Sequence, residues 1–544
     1  MEGNFEYFVN NNCLVCEDSY LLSKLIEKFD LEIIRFRQKY SYPPQIILNE
    51  RQPVYFLAGF IAACKANCSV FLCNPDWKEQ EWLQILDLVK PDIIWGIKNK
   101  QVEASCFLAT SNNNNILNHQ SPVLEICDPL GDTPFASSRG TRPTQWLPKT
   151  AISAIPHSQS PNIMIPTGGS SGKIKFAVHS WDTLTASVRG FQQYFEADKI
   201  NSFCVLPLYH VSGLMQFMRC LMTGGKLVTL PFKLVKSSQL SINNFINNIV
   251  NDLDFFISLV PTQLEILLKK SDLTQWLSKF QTVLLGGGPA WNELLQRARF
   301  HNIRLAPTYG MTETASQIAT MKPDDFLKGK VGCGQILPHA SVQIRSENQE
   351  NLKSNQIGSI SIKAESLALG YYPLGGKIQN SLQIDDLAFL DAQGYLNIVG
   401  RNSDKIITGG ENVYPSEVEA AIRATGMVAD VCVIGLEDKH WGQVVTAIYV
   451  VNDSNILNKQ VKNQQIQVLL KDKLTNYKIP KVWISVDSLP RNSQGKINRQ
   501  IVYKIAAEYV ELSTGSPRNQ PHTVLTDTPL LIKERGKGSK NSLT

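Results

Sequence analysis

A strong charge of either sign is missing from this sequence: across 544 residues, 54 basic side chains meet 48 acidic ones, for a formal net charge of +6. Nowhere do Lys and Arg gather with aromatics into a basic stripe. Nucleic-acid binding needs such a footprint and has no support here, whereas small acidic substrates suit the balance. A disulfide framework is missing too. The eleven cysteines follow no regular spacing and their odd number cannot all pair, which points to a reducing, cytoplasmic compartment. Met1-Glu-Gly-Asn4 shows no signal-peptide pattern. Cys13 and Cys16 form a CxxC pair, as many zinc sites begin, but Cys64, Cys68 and Cys73 sit in the apolar run FLAGFIAACKANCSVFLC without a second CxxC. Buried thiols are the better reading. The same run nears membrane-span length from Val54 to Cys73, yet Lys65 and Asn67 interrupt it and Pro75 follows. A core helix feeding a strand is expected, and no integral membrane segment. Oligomeric state is left open, a homo-oligomer included.

What is present is an apolar fraction of 43%, enough to fold, on a chain too long for one core. From about 15 to 150, helical stretches at 20–36 and 79–89 alternate with strands at 69–73 and 93–95, as in a parallel α/β layer. Loops are expected at 112–115 and 128–160. Behind Ser180 as N-cap, Trp181, Leu184, Val188, Phe191 and Phe195 repeat at helical spacing, with Asp182 in the first turn. A second α/β series follows, with strands at 203–206, 226–230, 255–260, 282–285 and 303–306 and helices from 261 and over 291–300. Beyond 335, SVQIRS, GSISIKA and DLAFLDAQGYLNIVGR read as an antiparallel β subdomain. After Arg401-Asn-Ser-Asp404 comes a small α+β unit of ordinary domain size, and from about 512 a polar tail expected to be disordered. The fold class is therefore α/β: a large N-terminal domain over 1–400 of two α/β layers plus a β subdomain, a polar junction at 401–404, and a small α+β C-terminal domain over 405–511.

Thr167-Gly-Gly-Ser-Ser-Gly-Lys-Ile-Lys175 is the most informative stretch. Gly168, Gly169 and Gly172 let backbone N–H groups converge on an anion, Thr167, Ser170 and Ser171 add hydroxyls, and Lys173 and Lys175 add charge. Such a turn can wrap a phosphate. It is not a Walker A loop, because three residues rather than four separate Gly168 from Gly172, and Ile174 follows where a Ser or Thr is needed. A nucleotide-dependent motor is disfavoured. Taken singly, the turn could equally be a flexible surface loop.

Four further clusters share the chain with it. Tyr309-Gly-Met-Thr-Glu313 follows a strand and puts an aromatic face, a hydroxyl and a carboxylate in one loop; Asp385-Asp386 precedes a strand; Gly400-Arg401 marks the junction; Lys496 closes Pro490-Arg-Asn-Ser-Gln-Gly-Lys496. Each has an ordinary reading as packing residue, helix-start carboxylate, turn residue or surface charge. Their joint order does not. From the first lobe to about residue 505 the chain resembles the adenylate-forming superfamily of acyl-CoA synthetases, with LLGGGP and YGMTE like its adenine-binding stretches. The resemblance implies that Gly287, Gly288 and Tyr309 cradle adenine, with Gly310 and Met311 beside them. It implies that Asp386 and Arg401 hold the ribose, Thr312 contacts phosphate, Glu313 holds Mg²⁺ and Lys496 is catalytic. ATP, Mg²⁺ and coenzyme A are the implied cofactor and substrates. Two departures stand out: Ile384-Asp385 replaces the usual Thr-Gly before the ribose aspartate, and Gly169 and Ile174 stand where Ser and Pro are frequent.

The chemistry explains why these groups are wanted. A carboxylate is already ionised at neutral pH, so its attack on the α-phosphorus of ATP needs relief of anion–anion repulsion rather than a base. The resemblance further implies a small domain that rotates about Asp404, withdraws Lys496 and brings Gly409 and Gly410 against the acyl-adenylate. Trp441 would then line the pantetheine tunnel, a core tryptophan being the alternative. Pro207-Leu-Tyr-His210-Val-Ser-Gly213-Leu-Met-Gln-Phe-Met-Arg219, with GGGPA and LCNPDWKEQEW, resembles the 2-succinylbenzoate–CoA ligases of menaquinone and phylloquinone synthesis. That resemblance implies that Arg219 pairs with a second substrate carboxylate and His210 shapes the acyl entrance. Another aryl- or acyl-CoA ligase, or a non-catalytic nucleotide- or acyl-binding homologue, stays open, as does an Arg219 that simply salt-bridges within the fold.

Overall fold

In the computed structural model the described residues are 1–16, 18–96, 125–127, 162–168, 174–236, 254–373, 377–378, 381–451, 459–491 and 496–514. Two large sheets carry the N-terminal region. One has seven strands in the order Gly370–Tyr372, Ile174–His179, Ile163–Gly168, Ser69–Leu72, Gln45–Leu48, Ile93–Trp95 and Glu125–Cys127. Its last five are parallel. The other has eight, running Leu14–Val15, Leu227–Thr229, Asn201–Cys204, Phe255–Leu259, Thr282–Leu285, Leu305–Met311, Ser316–Thr320 and Gln335–Ile336.

Parallel strands read as unbroken apolar runs because both faces are covered. Side chains alternate between faces, so Ile46 and Val70 enter one cluster while Ile47 and Phe71 enter another. The first cluster reaches from Ile46, Val70 and Ile163 on one sheet to Cys204 and Leu227 on the other, through Phe29, Phe56, Phe60, Leu184 and Phe217. A helical layer therefore fills the space between the sheets. The helix Pro53–Lys65 lies in it and is buried along nearly its whole length, as expected for the long apolar run. Trp181–Phe195 is capped as its sequence predicts, the Ser180 hydroxyl accepting from Thr183 N–H at 3.3 Å.

Ala340–Arg345, Gly358–Ala364, Leu382–Leu390 and Leu396–Arg401 form an antiparallel four-stranded sheet. The C-terminal unit has a five-stranded sheet around the long hairpin Val428–Asp438 and Gly442–Val451. The helices Pro415–Arg423, Lys459–Lys471 and Arg499–Thr514 accompany it. That last helix runs beyond 512, because Tyr503 to Val510 continue a regular turn, with Val502 and Ala506 in the core. The expected loops at 112–115 and 128–160 and the tail beyond 514 lie outside the described residues.

Burial pushes up the thiol pKa of Cys13, Cys64 and Cys73, and that of Cys68 to about 11. Such thiols behave as small apolar side chains. Among the described residues no group of three or more His, Cys, Asp or Glu could hold a metal ion, and no helix is long and apolar enough to cross a membrane.

Candidate active site

The phosphate-loop candidate joins two paired strands. Thr167 faces Lys175 and Gly168 faces Ile174 across the ladder. Gly169, Ser170, Ser171, Gly172 and Lys173 lie outside the described residues, but both stems are fixed. The Thr167 hydroxyl donates to Glu313 Oε1 at 3.2 Å, and Lys175 Nζ lies 3.8 Å from the ring centroid of Tyr371.

Tyr309, Gly310 and Met311 belong to the strand Leu305–Met311, not to a loop after it, and Thr312 and Glu313 form a 3-10 turn, Thr312–Thr314. The strand continues because Ser316–Thr320 turns back and pairs with it, with an irregularity at Tyr309/Gly310. A Cβ on Gly310 would lie 2.1 Å from the Ser316 carbonyl oxygen, so only glycine fits this close crossing. The turn is held from behind by His179, whose Nε2–H donates to the Thr312 carbonyl at 2.8 Å while Nδ1 meets the Thr183 hydroxyl at 3.0 Å. A carbonyl can only accept, so the tautomer is set. Burial lowers the His179 pKa to about 4, and the ring is neutral.

Asp386 lies within the strand Leu382–Leu390 rather than before it. The polar Asp-Asp pair reads as punctuation, but the strand passes through it because its partner strand ends in Arg401, directly opposite Asp386. The Tyr309 hydroxyl donates to Asp386 Oδ2 at 2.5 Å, and Arg401 Nε lies 3.3 Å from Oδ1. Burial first, then the charge of Asp386, pushes the Tyr309 phenol up. Asp385 supplies a function the sequence did not disclose. Its carbonyl accepts from Asn402 N–H at 2.7 Å and its carboxylate from Ser403 N–H at 3.1 Å, so it grips the junction.

Lys496 reaches these groups from the far end of the chain. Although the residue is exposed, the surrounding protein costs its ammonium enough hydration to lower its pKa. Arg401 adds to that fall, while Glu313 and Asp386 oppose it. His210, the N-cap of helix Val211–Thr223, has a pKa lowered to about 4 by burial and then by the charge of Lys496. One field therefore spans Lys496, Arg401, Glu313, Asp386 and His210. Four separate sequence motifs and the helix cap meet here.

Arg219 lies deeper, on the helix that His210 caps, and is 2% exposed. It donates from Nη2 to Gln317 Oε1 at 2.7 Å and stacks 4.1 Å over the Phe191 ring. Its Nε and the Gln317 Nε2 are buried without a partner. No carboxylate among the described residues pairs with it, and burial lowers its pKa to about 10. The expected alternative of an internal salt bridge is not what is seen.

Gly287 and Gly288 follow the strand Thr282–Leu285, beside the strand that carries Tyr309. Gly287 has φ +79° and a Cβ there would lie 3.1 Å from Val260. The next residues, Pro289 to Trp291, line a cavity of about 520 Å³ with Tyr414, Arg423 and Lys478. Gly409 and Gly410, with φ +57° and +85°, form the two-residue turn between Ile406–Thr408 and Glu411–Val413. The Trp441 ring lies 3.0 Å from where a Gly409 Cβ would stand. Asp404 is 3.3 Å from Arg499 Nε, and Arg499 also holds Glu419 at 2.7 Å. Sequence reasoning missed His179, Tyr371, Gln317 and Arg499, and named Asp385 without its grip on the junction.

Known proteins resemble this chain in sequence and in fold. The sequence profile described as "AMP-binding enzyme" matches residues 47–372, and "AMP-binding enzyme C-terminal domain" matches 417–496. The 2-succinylbenzoate–CoA ligase of Oceanobacillus iheyensis is 32% identical over 62% of this chain and 68% of its own length. That of Bacillus licheniformis is 31% identical over 65% and 71%. Among solved structures, o-succinylbenzoate CoA synthetase from Bacillus subtilis in complex with its acyl-adenylate intermediate superposes with a TM-score of 0.69 at 22% identity, covering 90% of this chain and 94% of that one. ATP-bound MatB from Rhodopseudomonas palustris gives 0.69 at 20%, covering 90% and 93%. At such identities the structures establish a shared fold; the profile matches establish more, and the chain belongs to the AMP-binding enzyme family.

Proposed function

We propose that this AMP-forming acid–CoA ligase takes 2-succinylbenzoate as its acid. The substrate carboxylate attacks the α-phosphorus of ATP, an O–P bond forms and pyrophosphate leaves; coenzyme A sulfur then attacks the acyl carbon and AMP leaves. The observation that carries the choice of acid is Arg219, a buried cation with an orphaned Nε and no carboxylate partner among the described residues. A dicarboxylate supplies that partner, and a monocarboxylate leaves the charge unpaired. Ligases of this name among the relatives support the reading.

The site fits magnesium held in one particular way. Glu313 is a buried carboxylate with both of its hydroxyl donors among the described residues on Oε1, and one or two carboxylates plus substrate phosphates is how Mg²⁺ is commonly held. When bound, the ion screens the negative charge of the phosphates. The chain's own groups do the remaining work. Tyr309, Gly287 and Gly288 flank the base, Asp386 takes the ribose with Arg401 fixing it, and Lys496 neutralises charge at the reacting phosphorus. Thr167, Lys175 and the loop between them hold the departing pyrophosphate. For the second step the unit over 405–511 turns about Asp404, and Gly409, Gly410 and Trp441 replace Lys496 at the acyl group.

The test offers a panel of acids with ATP, Mg²⁺ and coenzyme A and weighs the products by mass spectrometry. A coenzyme A thioester of 2-succinylbenzoate is expected; thioesters of benzoates or fatty acids in its place would reject the substrate, and no adenylate from any acid would reject the chemistry.

A further inference from the structure

The strand Gly370–Tyr372 closes one edge of the seven-stranded sheet, with Tyr371 opposite Ala177 on the strand that leaves the phosphate loop. Just before it, Ala368 N–H donates to the carbonyl oxygen of Glu313 at 2.8 Å. The segment is thus tied to the Thr312–Thr314 turn before Tyr371 makes any contact. Tyr371 then meets two charged groups of opposite sign. Its hydroxyl donates to Glu313 Oε1 at 3.0 Å, and its ring face receives Lys175 Nζ at 3.8 Å. A phenol suits both tasks, because the ring face is the negative end of its quadrupole and the O–H is a donor.

The geometry at Glu313 gives these contacts a consequence. The carboxylate is 7% exposed, and both of its hydroxyl donors, Thr167 and Tyr371, bond the same oxygen. Pinning Oε1 sets the direction of Oε2. Thr167 does so from the stem of the phosphate loop, whereas Tyr371 does so from a separate strand that also steadies Lys175. We propose that Tyr371 is a positioning residue that aims the Glu313 carboxylate at the magnesium of bound MgATP and holds Lys175 against the phosphate hairpin. The inference rests on Glu313 being the magnesium ligand. Partners that hydrogen-bond a ligating group are needed for full metal affinity, and their loss costs roughly 10–100-fold.

Tyr371→Phe keeps the ring and the Lys175 contact but deletes the hydroxyl. Manganese stands in for magnesium and is titrated, by electron paramagnetic resonance, into enzyme saturated with a non-hydrolysable ATP analogue. Tyr371→Phe is expected to weaken Mn²⁺ binding by at least about tenfold, with unchanged affinity for the metal-free analogue and an unchanged melting temperature. Tyr371→Leu, which also removes the ring, is expected to weaken the metal-free analogue by about fivefold as well. Glu313→Gln serves as the reference and is expected to lose the ternary Mn²⁺ signal. Wild-type Mn²⁺ affinity in Tyr371→Phe, with loss in Glu313→Gln, overturns the inference and leaves the Glu313 assignment standing. Wild-type affinity in Glu313→Gln overturns both. Equal weakening of Mn²⁺ and metal-free analogue in Tyr371→Phe also overturns it, since that marks general damage.

Discussion

Replacing Arg219 with methionine separates a substrate-binding charge from a structural one. The guanidinium is buried with no carboxylate partner among the described residues, and burial lowers its pKa from the ordinary arginine value to about 10. A tenfold weakening of proton binding corresponds to about 1.4 kcal/mol, so burying this cation opposes folding by roughly 3 kcal/mol near neutral pH. The sign follows from proton counts: between the two values the unfolded chain binds the extra proton, so stability rises with pH only above about 10. Against that cost stand the hydrogen bond to Gln317 and the stacking on Phe191, together worth about 2–3 kcal/mol. Arg219→Met should therefore leave the melting temperature nearly unchanged or slightly raised. Binding responds differently. Truncating one member of a buried, hydrogen-bonded charge pair costs about 2–5 kcal/mol, or roughly 30- to 5000-fold in kcat/KM for the dicarboxylate. Initial rates at varied acid and varied ATP, with calorimetric melting of the same samples, read both quantities. The expected pattern is a large rise in KM for the acid, with KM for ATP within about threefold of wild type. A parallel loss of both affinities, or a fall in stability that accounts for the lost activity, refutes the reasoning and makes Arg219 a structural residue.

Lys496→Ala should slow adenylation by about 10²–10³-fold, measured as pyrophosphate exchange, while thioester formation from preformed acyl-adenylate persists. Because the lysine acts as a cation and its pKa is lowered, adenylation should fall with rising pH at a lower value than an ordinary lysine would give. Asp386→Asn removes the anion that Tyr309 and Arg401 share and should raise KM for ATP about thirtyfold; an unchanged KM would place the ribose elsewhere. Gly409→Val puts a branched side chain at φ +57° against Trp441 and should slow only the thioester step, by roughly tenfold or more, so equal slowing of both half-reactions would deny that turn its separate role. His179 has a folded-state pKa of about 4 against 6.5 unfolded, so its contribution is complete above 6.5 and is lost as pH falls toward 4, up to about 3 kcal/mol. His179→Gln should flatten the acid limb of stability measured by urea unfolding between those values, and an unaltered limb would show that the ring is not the titrating group.

Local pattern alone settled a good deal. Short apolar strands such as Thr282–Leu285 alternating with helical stretches declared an α/β series, helical spacing with Ser180 at its head declared Trp181–Phe195, and the ordered motifs from Thr167 to Lys496 declared the chemistry. These are properties of neighbours in sequence, where period and turn chemistry act directly. What the sequence could not determine is who meets whom. Thr167 and Glu313 are 146 residues apart, Tyr309 and Asp386 are 77 apart, and Tyr371 lies 58 from Glu313, so their contacts exist only because sheets bring strand ends together. The same is true of placement within an element. Tyr309 and Asp386 looked like loop and turn residues and prove to lie inside strands, because pairing with Ser316–Thr320 and with Leu396–Arg401 outweighs the local preference of Gly and Asp. Burial decided the rest. The sequence left Arg219 open between pairing with a substrate carboxylate and a salt bridge within the fold; packing removes it from water and supplies an amide and an aromatic ring but no carboxylate among the described residues, and that unmet charge is what tertiary structure alone could reveal.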